Sequence, residues 1–125
     1  MVKHKLLEKP GKFIGENEYH REVKLYASPN SSIYAENFAV GMTIIYPGHK
    51  HEEHEHDTNR EIMIIYEGKG ILTTRGQEIF VEAGDILGFD FNEPHGFINT
   101  EDVPLRIIWI YHPPGLAEEK FLIKE

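Results

Sequence analysis

Gly48-His49-Lys50-His51-Glu52-Glu53-His54-Glu55-His56-Asp57-Thr58-Asn59-Arg60-Glu61-Ile62-Met63-Ile64-Ile65-Tyr66-Glu67-Gly68 is the stretch on which the fold of this chain turns. Its skeleton is a glycine, five residues, His54-Glu55-His56, four residues, Glu61, six residues and a second glycine. His54 and His56 lie two apart, so on an extended strand both rings leave the same face. Glu61 follows a polar break, Asp57-Thr58-Asn59-Arg60, and heads the strand-like run Glu61 to Tyr66. A hairpin at the break would return its carboxylate beside the two rings. Downstream, Gly84-Asp85 and Pro94-His95-Gly96-Phe97-Ile98-Asn99 supply one more imidazole, which only the fold can deliver. Three imidazoles and one carboxylate are ligands for a divalent transition ion.

Strand follows strand in the rest of the chain. Glu22 to Tyr26 alternates and is broken by Ala27-Ser28-Pro29-Asn30-Ser31. Ile33 to Glu36 and Phe38 to Tyr46 are rich in aromatic and β-branched residues and end at Pro47-Gly48. Ile71 to Thr74 and Gln77 to Val81 flank Arg75-Gly76, a two-residue hairpin signal. Asp85 to Phe89, Gly96 to Asn99 and Leu105 to Tyr111 complete the series. Leu116 to Ile123 reads as either a helix or a further strand. The pattern predicts an all-β, double-sheet barrel of jelly-roll type, with no internal repeat or linker.

Both histidine-bearing stretches resemble the two motifs of the cupin superfamily. The first matches throughout. The second matches from Gly84 through His95 to Asn99, but has Asp90-Phe91-Asn92 where the family has Pro-x-Gly. Asparagine tolerates a left-handed backbone better than most residues, so Asn92 is expected to make the turn. Only 15 residues separate Gly68 from Gly84, as in compact single-domain microbial cupins. The resemblance implies a double-stranded β-helix spanning residues 1–125 as one domain. Its core barrel is expected at about 20–112, with an N-terminal arm at 1–19 and a C-terminal tail at 113–125. It implies His54, His56, Glu61 and His95 as ligands of one divalent metal, with Fe, Mn, Ni, Co, Cu and Zn all compatible.

A tract rich in histidine and glutamate is, taken alone, an ordinary solvated loop. Glu61, the two flanking glycines and the remote His95 set this one apart. His49-x-His51 repeats the spacing but lacks a glutamate at the right distance, so both are assigned to an exposed approach loop. His4, His20 and His112 belong to no pattern and read as surface histidines. Phe38, Met42, Met63, Phe97 and Trp109 are candidates for an apolar pocket lining and equally for plain core, since small barrels fill their interiors with side chains. Tyr34, Tyr46, Tyr111 and Arg106 are candidates to orient an anionic or hydroxylated substrate. Arg106, the one charge in Leu105 to Tyr111, is either an anchor of that kind or a side chain snorkelling at an edge.

Composition bounds the rest. A chain of 125 residues with 40% hydrophobic content fills one core. It has no cysteine, which excludes disulfides and thiolate ligands, so a closed structural zinc site is disfavoured. A formal charge of −8 without a basic patch argues against nucleic acid. No apolar run reaches the roughly 18 residues of a membrane span, and the basic amino terminus lacks a signal-peptide segment. A cytoplasmic address is expected. A homodimer is expected too, pairing by sheet edges at Glu22 to Tyr26 and Leu105 to Tyr111, because a lone small barrel leaves edges open.

The expected function is that of a metal-dependent enzyme on a small oxygenated organic molecule, of dioxygenase, decarboxylase, isomerase or lyase type. The alternative is a sugar- or acid-binding module without turnover. A storage role fits poorly, because storage relatives commonly lose ligands that this chain keeps. Four ligands on an octahedral ion leave two positions for substrate, dioxygen or water.

Overall fold

The computed structural model describes residues 1–123. Eleven strands run β1 Lys12–Ile14, β2 Arg21–Ser28, β3 Ile33–Tyr34, β4 Ala39–Ile45, β5 Lys50–His54, β6 Arg60–Glu67, β7 Lys69–Thr74, β8 Gln77–Glu82, β9 Ile86–Phe89, β10 His95–Ile98 and β11 Leu105–His112. One short helix, α1, covers Ala117–Phe121. A seven-stranded sheet has the order β1-β2-β4-β11-β6-β9 with β3 beside β2, and a four-stranded sheet has the order β5-β10-β7-β8. Every pairing but β2 with β3 is antiparallel. This is the jelly-roll arrangement that the sequence predicts.

The two sheets close on one apolar core. Trp109, Ile107, Ile65 and Ile45 from the larger sheet meet Phe97, Leu72 and Val81 from the smaller. Along β4 the inward phase is the small-residue one, Ala39, Gly41, Thr43 and Ile45, because the Trp109 ring lies over Gly41 and leaves no room for a Cβ there. The indole N–H donates to Thr43 Oγ1 at 3.1 Å, so the buried ring keeps its polar end satisfied.

The opposite phase of β4 faces outward and is covered by the N-terminal arm. Met42 and Ile44 pack with Tyr26 against Leu6. The Tyr26 hydroxyl donates to Leu6 O at 2.7 Å, and Lys24 Nζ donates to the carbonyls of Leu7 and Lys9. The arm is therefore structured, and it also supplies β1 to the sheet.

Two local expectations hold and two do not. Arg75 and Gly76 both take positive φ, 48° and 77°, as the hairpin signal requires, and Asn92 turns left-handed at φ 59° in place of the missing glycine. The tract expected as an approach loop is instead strand β5. The expected dimer edges are not edges: β11 lies between β4 and β6, and β2 lies between β1 and β4. Their apolar character reflects burial within the sheet.

The tail is helical over Ala117–Phe121, and Ala117 and Phe121, four apart, bury one face against the barrel. Glu118 ties α1 to the β2–β3 turn, accepting from Ser28 Oγ at 2.6 Å and from the backbone and side-chain amides of Asn30. Replacing Glu118 by alanine should raise amide exchange across residues 117–121 roughly tenfold, the equivalent of one net charged hydrogen bond of about 1.5 kcal/mol. Unchanged protection would show that apolar contacts alone hold the helix.

Candidate metal centre

Each ring of the histidine cluster is placed by a different piece of backbone. His54 ends β5, His56 follows it, and His95 opens β10 directly opposite His54 in the register. Glu61 comes from the other sheet, in the inward phase of β6 with Met63 and Ile65. One ring nitrogen from each of His54, His56 and His95 lies within 4.8 Å of the others. His95 Nε2 stands 2.9 Å from Glu61 Oε1, His56 Nε2 stands 3.6 Å from the same oxygen, and His54 Nε2 stands 3.0 Å from His56 Nε2.

Two hydrogen bonds fix which nitrogens point inward without a proton. His54 Nδ1 donates to Glu52 O at 3.2 Å, and His95 Nδ1 donates to Glu93 O at 3.0 Å. A carbonyl only accepts, so both Nδ1 atoms carry the hydrogen and both Nε2 lone pairs are left bare. His95 Nε2 and both Glu61 oxygens are buried with no hydrogen-bond partner. Such orphaned acceptors are costly in a folded interior. A divalent cation among them would satisfy all at once, and imidazole held through its other nitrogen is the usual setting of a metal-ligating histidine. The donor set therefore fits a metal of the imidazole–carboxylate kind.

Electrostatics favour the same state. Burial, then the neighbouring His95, push the His54 pKa down to about 4. Burial, then His54 and His95, do the same to His56, also to about 4. Burial raises the Glu61 carboxyl. His51 is likewise held well below its ordinary value, first by burial and then by His54.

The sign for stability follows. Imidazoles that bind fewer protons folded than unfolded make the metal-free protein lose stability as pH falls from about 6.5 to about 4. Glu61 acts oppositely, its contribution being lost as pH rises through its raised pKa. With three lowered imidazoles against one raised carboxyl, the melting temperature of chelator-treated protein should fall on acidification across that window. A flat profile in thermal melts would contradict it.

A bulge decides the role of His51. Between His95 and Phe97 on β10, the partner strand advances from His54 to His51, one residue more than the register requires. Regular alternation would send residues three apart to opposite faces. The extra residue brings His51 round, so that its ring stacks on His54 with centroids 4.3 Å apart. Gly96 sits opposite the bulge, where a Cβ would come within 2.7 Å of Glu53 N and His51 O. His51 thus lines the site, whereas His49 is engaged with His20 O at 2.6 Å.

Beside the cluster lies a cavity of about 210 Å³ whose walls include Arg21, Thr43, His51, Tyr111, Lys120 and Phe121. None of the six pocket candidates lines it. Phe38 is exposed, Met42 lies on the outer face under the arm, and Arg106 pairs outside with Glu67 at 2.7 Å. Met63, Phe97 and Trp109 are core. Of the polar residues considered for substrate contact only Tyr111 lines the cavity, while Tyr34 is exposed and Tyr46 donates to Glu22 at 2.8 Å. Arg21 was the residue overlooked, yet it shares the inward phase of Val23 and Leu25, which marks it as a charge aimed at the core.

A two-sheet antiparallel barrel with three histidines and a glutamate converging inside it is a distinct class of small barrel. This chain belongs to the cupin domain family, which it matches over residues 41–111. An uncharacterised protein of Methanocaldococcus jannaschii is 29% identical over 119 residues, 87% of this chain and 94% of that protein. Among solved structures, a predicted oxalate decarboxylase from Thermotoga maritima superposes with a TM-score of 0.75 at 19% identity, covering 90% of this chain and 99% of that one. The polyketide cyclase RemF from Streptomyces resistomycificus superposes with a TM-score of 0.79 at 16% identity, covering 92% and 81%. At such identities these likenesses are of fold alone. No helix among the described residues is long and apolar enough to cross a membrane.

Proposed function

We propose that His54, His56, Glu61 and His95 hold one divalent transition ion and that the protein is an enzyme acting on a small oxygenated organic molecule in the adjoining cavity. The observation that carries this reading is the buried Glu61 carboxylate and His95 Nε2, both without a hydrogen-bond partner, facing two further imidazoles. A bound ion of this kind polarises a carbonyl or enolate oxygen, or lowers the pKa of a bound water.

The chain's own residues supply the setting. Phe89 stacks on His95 with centroids 4.1 Å apart, and Leu116 and Phe121 of the tail give the cavity an apolar wall. Burial around the cluster strengthens the electrostatic interactions inside it. Burial, then the Glu61 charge, hold the Tyr111 hydroxyl protonated far above neutral pH, so it serves as a hydrogen-bond donor to a substrate oxygen. Relatives by fold include a predicted oxalate decarboxylase and a polyketide cyclase, so the fold leaves the reaction type to the metal. Iron or copper in the purified protein would favour oxygenation, and zinc or nickel would favour lyase, isomerase or cyclase chemistry.

The test is a screen of metal-loaded protein against hydroxy acids, keto acids, sugar derivatives and diols, with and without oxygen. At least one compound should be consumed, and His56→Ala should spare it. Compounds that raise the melting temperature without being consumed, whichever metal is loaded, would make this a binding module instead.

The partner we propose besides that molecule is a second copy of the chain, in the cytoplasm. Ile110 faces Ile62 and Ile108 faces Ile64, which in turn faces Ile86, so an apolar row crosses β11, β6 and β9 on the side away from the core. Ile86 is 70% exposed. Light scattering should give about twice the 14.5 kDa chain mass, and Ile64→Lys should return it to a single chain by placing a charge in that row.

A further inference from the structure

We infer that the cavity takes a small carboxylic acid, with the Arg21 guanidinium as the seat of its carboxylate and Lys120 as a second cation above it. This rests on the reading of the cavity as the substrate site.

Arg21 is a buried cation that is only partly satisfied. Its side chain is 9% exposed. One nitrogen donates to Tyr19 O at 2.9 Å, the two terminal nitrogens reach Glu52 at 3.4 and 3.3 Å, and Nε is buried without a partner. Charge-assisted N–H to carboxylate bonds normally run about 2.7–2.9 Å, so the Glu52 contacts are long. Glu52 is itself 49% exposed and is solvated without Arg21. It is therefore a loosely held partner, which a carboxylate arriving in the cavity can displace at small cost.

Charge and size point the same way. Among the described residues Lys120 forms no ion pair, and its exposed side chain borders the cavity from α1. Arg21 and Lys120 balance Glu52 and Glu61, so a divalent ion leaves the site with an excess of positive charge. A neutral polyol would meet the Tyr111 and Thr43 hydroxyls but leave the cations without an anion. The Thr43 hydroxyl already accepts from Trp109, and the Asn59 amide is engaged with Thr58 and Arg60 O. At about 210 Å³ the cavity is smaller than drug-sized pockets of roughly 300–1,000 Å³, which suits an acid of a few carbons.

Calorimetric titration of pyruvate, lactate and malonate against pyruvamide, lactamide and malonamide tests this in both manganese-loaded and chelator-treated protein. At least one acid should bind roughly tenfold or more tightly than its amide, the value of a charged hydrogen bond. Arg21→Gln should abolish that preference with metal content unchanged. Should Arg21→Gln fail to fold, two variants at exposed positions decide. Lys120→Gln should weaken acid binding, and Glu52→Gln should strengthen it by removing the internal competitor. Amides binding as tightly as acids, no acid binding at all, or acid affinities unmoved by both exposed-site variants would overturn the inference. If no preparation holds metal, the metal-centre reading fails separately. An Arg21-dependent preference for acids in metal-free protein would still uphold the present inference, and its absence there would overturn it.

Discussion

His95→Ala should take the purified protein from one bound metal ion per chain to background in elemental analysis. His95 is 1% exposed, and its Nε2 lies 2.9 Å from a Glu61 oxygen that makes no hydrogen bond. Alanine there removes the proposed ligand. His54→Ala should have the same effect. His49→Ala should not, because that ring is engaged with His20 O. His51→Ala is the sharper control. Its ring stacks on the face of His54, and its Nδ1 donates to Glu52 O at 2.8 Å, so metal content should stay stoichiometric although the site loses a wall. Equal loss from His49→Ala and His51→Ala would sink this ligand set.

Trp109→Ala should destabilise the protein by about 3–5 kcal/mol, the range for emptying a buried aromatic position. That is a large part of the roughly 5–15 kcal/mol holding an ordinary domain together. The ring is 1% exposed, stacks on Tyr111 with centroids 4.3 Å apart, and meets Phe121 of the tail. Its loss also leaves the Thr43 hydroxyl without its donor. Trp109→Phe keeps most of the packing and should cost far less. Urea unfolding midpoints separate the two, and a midpoint for Trp109→Ala close to the parent's would mean that the core collapses around the gap.

The metal-ligating candidates were legible because their spacing follows strand geometry. His54 ends β5 and His56 lies just past it, yet their two-residue spacing still brings both rings to one place, and an acidic residue heading an apolar strand has few other uses. The cavity walls were not legible. In β4 both phases are largely apolar, Val40, Met42 and Ile44 against Ala39, Thr43 and Ile45, so composition alone cannot say which faces inward. The Trp109 ring decides it by needing the space above Gly41. The same holds for Arg106, whose phase along β11 is settled by the strands on either side. His51 escaped because a bulge breaks the period-two rule on which its face was read. The outer face of β4 gave no sign of being covered, since the arm that buries Met42 is bound through its main-chain carbonyls, which any sequence possesses.

His54 and His95 belong to the four-stranded sheet and Glu61 to the seven-stranded one. An ion shared among them would be a cross-link between two layers that otherwise meet through apolar side chains and the long Arg21–Glu52 ion pair. It would act as a reversible staple in a chain that has no cysteine for a permanent one. At a free metal concentration about 1,000 times the dissociation constant, such a staple adds about 4.1 kcal/mol to the folded state. The amount of metal available to the cell would then set how long the barrel survives as well as what it does.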